Sequence, residues 1–126
     1  MPRPGAGYRR EAGEKGEALA AEELTRLGLR ILARNYSCRL GEVDLVAEED
    51  GCLCFVEVRS RRVGAAVTPA ESVNRPKQRR VVLAAKHYLA RLGEPRAVRF
   101  DVASVFLSDQ GLHRVELIRN AFDAGE

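Results

Sequence analysis

The amino-acid sequence predicts an α/β domain whose central, mixed β-sheet is flanked by helices, with the elements in the order α-β-β-β-α-β-β. Apolar residues recur at helical spacing in two segments, and shorter apolar runs separated by turn residues occupy the rest of the chain. The second helical segment separates two strand segments by a connection long enough for a parallel crossover. Parallel and antiparallel pairs are therefore expected in one sheet.

Glycine and proline mark the ends of the predicted helices. The first helix is predicted over residues 11–27, because Gly28 suits the position after a last turn. The second helix is predicted over residues 76–92, since proline is favoured in a first turn and Gly93 can act as a stop. The predicted buried stripe of the second helix consists of Val81, Val82, Ala85, Tyr88, Leu89 and Leu92.

Five strands are predicted from the remaining apolar runs. They cover residues 29–37, 41–48, 52–59, 98–107 and 112–118. In the first strand, Leu29, Ile31 and Ala33 are expected on one face of the sheet. A hairpin turn is predicted at Glu49-Asp50-Gly51, and residues 60–75 are expected to form a loop with one short helical turn.

Length and composition indicate one globular domain. Of the 126 residues, 45% are hydrophobic and 31% are charged, a balance that is typical of folded proteins and excludes a disordered chain. We assign residues 1–10 to a flexible basic arm, 11–120 to the domain and 121–126 to a tail. The sequence contains no apolar run long enough to span a bilayer and no signal-peptide pattern, so a cytoplasmic protein without a membrane partner is expected.

Charge and cysteine content allow some partners and argue against others. The formal net charge is +3, which permits a polyanionic partner without requiring one. Only Lys15, Lys77 and Lys86 among the 21 basic residues are lysines. The three cysteines lack the spacing of a zinc site, so we expect them to be small hydrophobic residues in a reducing compartment.

Acidic residues interrupt two of the predicted strands. Side chains alternate along a strand, so Glu42 and Asp44 are expected on one face and Val43 and Leu45 on the other. The predicted hairpin brings Glu57 of the next strand towards Asp44. Carboxylates are unfavourable in a half-buried sheet unless something compensates their charge, and hard ions such as magnesium prefer carboxylate oxygens. The sequence therefore predicts a metal site.

Four motifs in chain order carry a family resemblance. They are Gly13-x-x-Gly16-Glu17-x-x-Ala20, Gly28-Leu29-x-Ile31-Leu32-x-Arg34-Asn35, Gly41-Glu42-Val43-Asp44-Leu45-Val46 and Phe55-Val56-Glu57-Val58-Arg59-x-Arg61. In this order and spacing they resemble the PD-(D/E)xK nucleases, which have the restriction-endonuclease-like fold. More narrowly, they resemble the small YraN-like bacterial family of predicted endonucleases, which is similar to archaeal Holliday-junction resolvases.

The resemblance implies a role for each acidic residue. Asp44 takes the place of the first acid of the motif and Glu57 that of the second, and both would bind Mg²⁺ or Mn²⁺. Glu17 matches a position where related resolvases supply a further metal-site carboxylate, and Glu42 is a candidate for the outer shell. Such a metal would orient an attacking water, lower its pKa and offset charge in the transition state.

Arg59 departs from the motif, which has a lysine at this position. Arginine stabilises charge on a phosphate but stays protonated, so it cannot act as a general base. Three interpretations remain open. Metal-bound hydroxide suffices, with Arg59 as an electrostatic stabiliser; or a lysine comes from elsewhere, with Lys77 the best-placed candidate; or the domain binds nucleic acid without cutting it.

Basic residues flank the predicted metal site on both sides in the sequence. The candidates for nucleic-acid binding are Arg61, Arg62, Arg75, Lys77, Arg79 and Arg80. Arginine side chains and a helix N-terminus both suit phosphate groups. No aromatic residues are interleaved with them, so contacts to backbone and shape are expected more than base stacking. Asp101, another acid in a predicted strand, is expected to pair with a neighbouring arginine in a structural role.

The function expected from the resemblance is divalent-metal-dependent hydrolysis of phosphodiester bonds in DNA, including branched or damaged DNA. Resolution of a junction needs two symmetric cuts, which favours a homodimer. Two alternatives come from other functional classes: a non-catalytic nucleic-acid-binding module that keeps the nuclease fold, and a protein-interaction domain. Salt dependence separates these two, because a phosphate binder weakens steeply with ionic strength.

Overall fold

The computed structural model of the protein describes residues 6–62, 74–111 and 113–125. Within these residues the helices and strands are α1 (Ala6–Arg26), β1 (Arg30–Cys38), β2 (Gly41–Glu49), β3 (Cys52–Arg62), α2 (Arg75–Leu92), β4 (Ala97–Leu107) and β5 (His113–Phe122). The predicted order α-β-β-β-α-β-β is confirmed. Neither of these two helices is long and apolar enough to cross a membrane.

In the described part of the chain the five strands form one sheet in the order β1-β2-β3-β4-β5. β3 and β4 are parallel, from Cys52 opposite Ala97 to Arg62 opposite Leu107. The other neighbouring pairs are antiparallel. α2 lies in the connection between the two parallel strands, where a long crossover is required. The predicted mixed sheet is therefore confirmed.

The two helices pack on opposite faces of the sheet. Side chains alternate along β3, so Cys54 and Val56 pack on the α1 face, whereas Leu53 and Phe55 pack on the α2 face. The buried residues of the α1 face are Ala20, Ala21, Leu24, Leu29, Leu45, Ala47, Cys54, Val56, Ala103 and Val105. Those of the α2 face are Val43, Val46, Leu53, Phe55, Val81, Val82, Ala84, Ala85 and Phe100. Removal of these apolar surfaces from water is the main force that holds the layers together.

The largest differences from the predicted boundaries occur at the start of α1 and at the ends of β3 and β5. α1 begins at Ala6, so it includes part of the segment assigned to a flexible arm. β3 continues to Arg62, because β4 offers a parallel partner up to that point, which the polar sequence did not indicate. β5 extends to Phe122 and includes the start of the predicted tail. The rest of the predicted loop, residues 63–73, with its suggested helical turn, lies outside the described residues.

The predicted turn and helix-stop residues behave as the sequence indicates, and α2 also has a cap residue that was not predicted. Asp50 and Gly51 have positive φ angles of 50° and 82°, which is the two-residue hairpin geometry that matches the twist of the strands. The side chain of Asn74 caps α2 by accepting a hydrogen bond of 3.1 Å from the backbone nitrogen of Lys77. Gly93 ends α2 with a left-handed φ of 78°. These local signals place α2 and the hairpin correctly.

The buried stripe of α2 differs from the prediction in its second half and at one added position. Leu92, predicted to be buried, is 39% exposed, and the two stripe residues before it are only partly buried, whereas Ala84 is fully buried. Ala84 is buried because β2 closely approaches the middle of the helix. A Cβ atom at Gly41 would overlap the carbonyl oxygen of Arg80 and lie too close to the backbone nitrogen of Ala84. The strand therefore has no room for a side chain at Gly41.

The predicted shared face of Ile31 and Ala33 is wrong. The register between β1 and β2 shifts between these two residues. As a result, Ile31 packs on the α1 face and Ala33 on the α2 face. A β-bulge adds one residue to a strand and so reverses the alternation after it.

Asp101 has the structural role that the sequence suggested. It is fully buried, and the Nε atom of Arg99 donates to its two carboxylate oxygens at 3.1 and 3.0 Å. The backbone nitrogen of Asn120 donates to Oδ1 at 3.0 Å, at the point where the β4–β5 register shifts. Arg99 also binds Glu49 at the end of β2 with a distance of 2.6 Å. This network ties β2, β4 and β5 together.

Candidate metal and nucleic-acid site

Asp44 lies where β2 separates from both of its neighbours. The ladder between β2 and β3 ends at Leu45, the residue after Asp44. On the other side, β1 and β2 remain in register before and after Asp44, but the position opposite it, Asn35, is not paired. Asp44 is therefore half-buried at an opening in the sheet.

The carboxylate of Asp44 partly closes this opening. Its Oδ2 atom accepts a hydrogen bond of 2.7 Å from the backbone nitrogen of Val58 on β3. A side-chain acceptor thus takes the place of a strand carbonyl beyond the last ladder pair. Because Val58 follows Glu57, the same bond holds the second acid of the predicted site next to Asp44.

The predicted alternation of side chains fails at Asp44. Val43 packs with the α2 cluster and Leu45 with the α1 cluster, although both were expected on one face. The pairing is interrupted at Asp44, and the alternation of side chains between the two faces of the sheet is reset there. Glu42 is exposed and forms an ion pair of 3.0 Å with Arg80 on α2. The carboxylate predicted for the outer shell of the metal site is therefore engaged with the helix.

Glu57 is hydrogen-bonded to Asp44 across the hairpin. Burial, together with the hydrogen bond and negative charge of Asp44, raises the pKa of Glu57 to about 9. The positive charges of Lys77 and Arg59 act in the opposite direction, with Lys77 the stronger of the two. In the metal-free protein at neutral pH, Glu57 therefore retains a proton and can share it with Asp44.

Glu17 reaches the same place from α1. The preceding residue, Gly16, lies so close to β3 that a Cβ atom there would overlap the hydroxyl oxygen of Ser60. This approach brings the carboxyl group of Glu17 into hydrogen-bonding contact with Asp44 and Asn35. Burial, followed by the charge of Asp44, raises the pKa of Glu17, while the hydrogen bond from Asn35 lowers it.

The three acids form a hydrogen-bonded chain with Asp44 in the middle. Across residues 6–62, 74–111 and 113–125, no three His, Cys, Asp or Glu side chains surround one point so as to hold a metal ion as they stand. Adjacent carboxylates repel one another, and without a cation they reduce this repulsion by keeping protons. A divalent ion supplies the same compensation. The donor set, all carboxylate oxygens, suits magnesium or manganese.

Asn35 is a residue of the site to which the sequence assigned no role. It lies within β1 and has a φ angle of 51°, in the left-handed region that few residues other than glycine adopt. Asparagine tolerates this region because its short polar side chain can bond locally. A signal was present, since asparagine is unfavourable inside a strand and therefore marks an irregularity.

Three predicted site residues, Arg59, Arg61 and Arg62, follow Glu57 along β3. Arg59 is half-buried, and its charge acts on Glu57 together with that of Lys77. Arg61 is half-buried, and its Nε atom has no hydrogen-bond partner among the described residues. Arg62 is exposed at the end of the strand. Two positive charges, those of Arg59 and Lys77, thus act on Glu57.

The remaining predicted binding residues lie in the first turns of α2. Arg75 and Arg79 are exposed and line an open groove of about 660 Å³, together with Lys86. Asp123, in the segment after β5, lies on the other side of this groove. Arg80 is directed to Glu42. The groove is predominantly basic and suits an anionic ligand.

Residues 16–105 match the model of the family described as uncharacterised protein family UPF0102. The UPF0102 protein STH1475 of Symbiobacterium thermophilum is 52% identical over 116 residues, which cover 91% of this chain and 98% of the relative. A UPF0102 protein of Myxococcus xanthus is 46% identical over 126 residues, with 99% of each chain covered. These names state no activity. The chain belongs to the UPF0102 family.

Proposed function

We propose that the protein is a divalent-metal-dependent phosphodiesterase that hydrolyses DNA, with branched or damaged DNA as its substrate. The observation that carries the proposal is the contact of Glu17, Asp44 and Glu57, which come from α1, β2 and β3. Basic side chains lie next to these acids, so a metal ion and a phosphate group could be bound at one place.

In this function, Asp44 and Glu57 hold the metal ion and Glu17 assists them. Bound magnesium or manganese lowers the pKa of an attacking water and offsets negative charge on the phosphate. The protein contributes the position of the carboxylates. The bond from Val58 orients Asp44 with a donor–acceptor distance of 2.7 Å, and the close approach of α1 at Gly16 brings Glu17 to the site.

Arg59 and Lys77 divide the role that one lysine has in the motif. Arg59 offers planar donors to phosphate oxygens and stabilises their charge, but it does not accept a proton. Lys77 acts on Glu57 from the first turn of α2, where Asn74 caps the helix. An ammonium group can give up its proton in a suitable environment, so this placement supports the interpretation in which the lysine is supplied by α2.

Cleavage of defined DNA structures tests the proposal. Purified protein is incubated with end-labelled four-way junction, flap, duplex and single-stranded DNA in the presence of manganese or EDTA. Asp44→Asn removes the central charge but keeps an oxygen for the Val58 bond, and Asp109→Asn in the exposed turn after β4 is a matched control. We expect manganese-dependent cleavage by the wild type and the control only. Cleavage by Asp44→Asn at the wild-type rate would contradict the proposal.

One observation favours a second candidate function, nucleic-acid binding without cleavage. Arg59 occupies the position of the motif lysine, and an arginine cannot serve as a general base there. Under this alternative, no substrate is cut in manganese, whereas junction binding persists in Asp44→Asn and weakens steeply with salt. The same set of substrates and variants therefore separates the two functions.

A homodimer is proposed for the case of a junction substrate. Two symmetric cuts require two active sites, and a symmetric pair of subunits provides them. Sedimentation of the protein alone and with a four-way junction measures the number of subunits. A single subunit per cleaved junction would exclude this arrangement.

A further inference from the structure

Two strand asparagines have a left-handed backbone, and one of them adjoins the candidate metal site. Asn35 in β1 has a φ angle of 51° and Asn120 in β5 has one of 52°. At Asn120 the conformation belongs to the register shift between β4 and β5, where its backbone nitrogen donates to Asp101 at 3.0 Å. Asn35 has a different setting, because it lies opposite Asp44.

The conformation of Asn35 coincides with the gap in the β1–β2 ladder. Pairing continues in one register on both sides of Asn35 and Asp44 and is interrupted between these two. Ala33 and Tyr36 are three positions apart, yet both pack on the α2 face. A regular strand would place them on opposite faces, so the alternation is reset between them. The backbone at Asn35 produces this change and leaves the position of Asp44 open.

The side chain of Asn35 contacts the acid from α1. Its amide group donates a hydrogen bond to the carboxyl group of Glu17, which is also bonded to Asp44. The next residue along β1 with a bonding side chain, Tyr36, is directed to α2, where its hydroxyl lies 2.6 Å from Nδ1 of His87. Asn35 therefore connects the edge strand to the acidic chain.

We propose that Asn35 is a positioning residue of the metal site: its left-handed backbone opens the ladder at Asp44, and its amide holds Glu17 towards Asp44 and Glu57. The inference rests on the proposed metal-dependent function. Asparagine meets both requirements. Glycine would adopt the backbone but lacks the amide, aspartate would repel Glu17, and alanine would provide neither.

The test compares Asn35→Gly with the matched change Asn120→Gly, which alters the other left-handed asparagine away from the site. Manganese affinity is measured by calorimetric titration, and the denaturant midpoint is measured in EDTA. We expect Asn35→Gly to weaken manganese binding by about tenfold, which is typical for loss of a residue that orients a metal ligand, and to lower the midpoint only as far as loss of the hydrogen bond to Glu17 does. Asn120→Gly should leave manganese affinity unchanged. Unchanged affinity in Asn35→Gly would overturn the inference.

A double-mutant cycle separates failure of the inference from failure of the proposed function. Asn35→Gly, Glu17→Ala and the double variant are unfolded in denaturant with EDTA present, so that no metal takes part. Because the two side chains are in contact, their effects on the midpoint should not be additive. A wild-type protein that binds no manganese would overturn the proposed function. Additive effects in the cycle would overturn the contact by which Asn35 holds Glu17.

Discussion

Asp44 combines a structural and a chemical role in one side chain. It accepts a hydrogen bond from Val58, and it raises the pKa values of both Glu17 and Glu57. The first interaction adds a hydrogen bond between β2 and β3 just beyond the end of their ladder. The second keeps protons in the site as long as no cation compensates the carboxylates. A single residue therefore couples the opening of the sheet to the protonation of the two glutamates.

Substitution of Glu57 by glutamine should make the stability of the metal-free protein less dependent on pH. The pKa of Glu57 is raised from 4.5 to about 9, so the folded state holds this proton more tightly than the unfolded state does. The stabilisation is fully present below the unfolded value and is lost as the pH rises through the folded one.

The free energy of unfolding of the wild type in EDTA should thus decrease relative to that of Glu57→Gln, by about 1 kcal/mol or more between acidic and alkaline pH. Urea titrations at several pH values measure the difference. Manganese should reduce or reverse this pH-dependent decrease in the free energy of unfolding of the wild type, since metal and proton compete for the same oxygens. If the free energy of unfolding of the wild type increased relative to that of Glu57→Gln as the pH rose in EDTA, the raised pKa of Glu57 would be contradicted.

Lys77 should be required for cleavage if α2 supplies the lysine of the site. Loss of a proton-transfer group reduces rates by about a hundredfold or more, so Lys77→Ala should lower the manganese-dependent rate by that factor. Lys77→Arg keeps the charge but not the ability to lose a proton. Single-turnover rates of both variants, with Arg91→Ala in the last turn of the same helix as a control, measure the effect. Full activity of Lys77→Arg would show that Lys77 contributes only its positive charge. Full activity of Lys77→Ala would show that Lys77 is not needed for cleavage.

At the scale of elements, local signals predicted most of the fold. The turn at Asp50-Gly51, the proline in the first turn of α2 and the Gly93 stop act through the backbone conformation of a few neighbouring residues, so the sequence is sufficient to find them. The length of β5 was missed, because its last residues are held by the distant Asp101. The sequence around β5 does not indicate which residue of β4 it contacts.

The candidate site was predicted in composition but not in geometry. The pairing of Asp44 with Glu57 follows from the hairpin, and Glu17 came from the family resemblance. The alternation that placed Val43 and Leu45 on one face assumed a regular strand. That assumption fails at Asn35, where three elements meet and the ladder is interrupted. Tertiary contacts, not strand propensity, decide the local structure here.

Gly41 should be among the most sensitive positions of β2. An added methyl group would overlap the backbone of α2 at Arg80, and backbone atoms cannot move aside without shifting the helix. Gly41→Ala is expected to lower the free energy of unfolding by about 2 kcal/mol or more. Gly28→Ala is the comparison, because there a Cβ meets no neighbour and only the φ of 100° is unfavourable, at about 1–2 kcal/mol. A smaller loss at Gly41 than at Gly28 in urea unfolding would refute the close contact.

At the scale of the whole molecule, several arginine–carboxylate pairs of the described residues gather at the end of the sheet remote from the site. There, Arg99 and Arg119 bind Glu49 at 2.6 and 2.8 Å, and Arg30 binds Glu48 at 2.8 Å. Because carboxylates neutralise these arginines, they contribute less to the positive potential of the protein than the exposed arginines in the first turns of α2 do.

The salt dependence of DNA binding should report this distribution. Arg75 and Arg79 line the groove at the start of α2, whereas Arg26 and Arg91 lie in the last turns of α1 and α2, far from the acids. Each phosphate contact that is lost reduces the slope of log K against log salt by about one. The double variant Arg75→Gln/Arg79→Gln should therefore bind a four-way junction more weakly, with a slope about two units shallower.

The control variant Arg26→Gln/Arg91→Gln carries the same change in net charge and should keep the wild-type slope. Equal slopes for the two double variants in fluorescence anisotropy titrations would mean that net charge alone governs binding, and the α2 groove would then not be part of the DNA-binding surface.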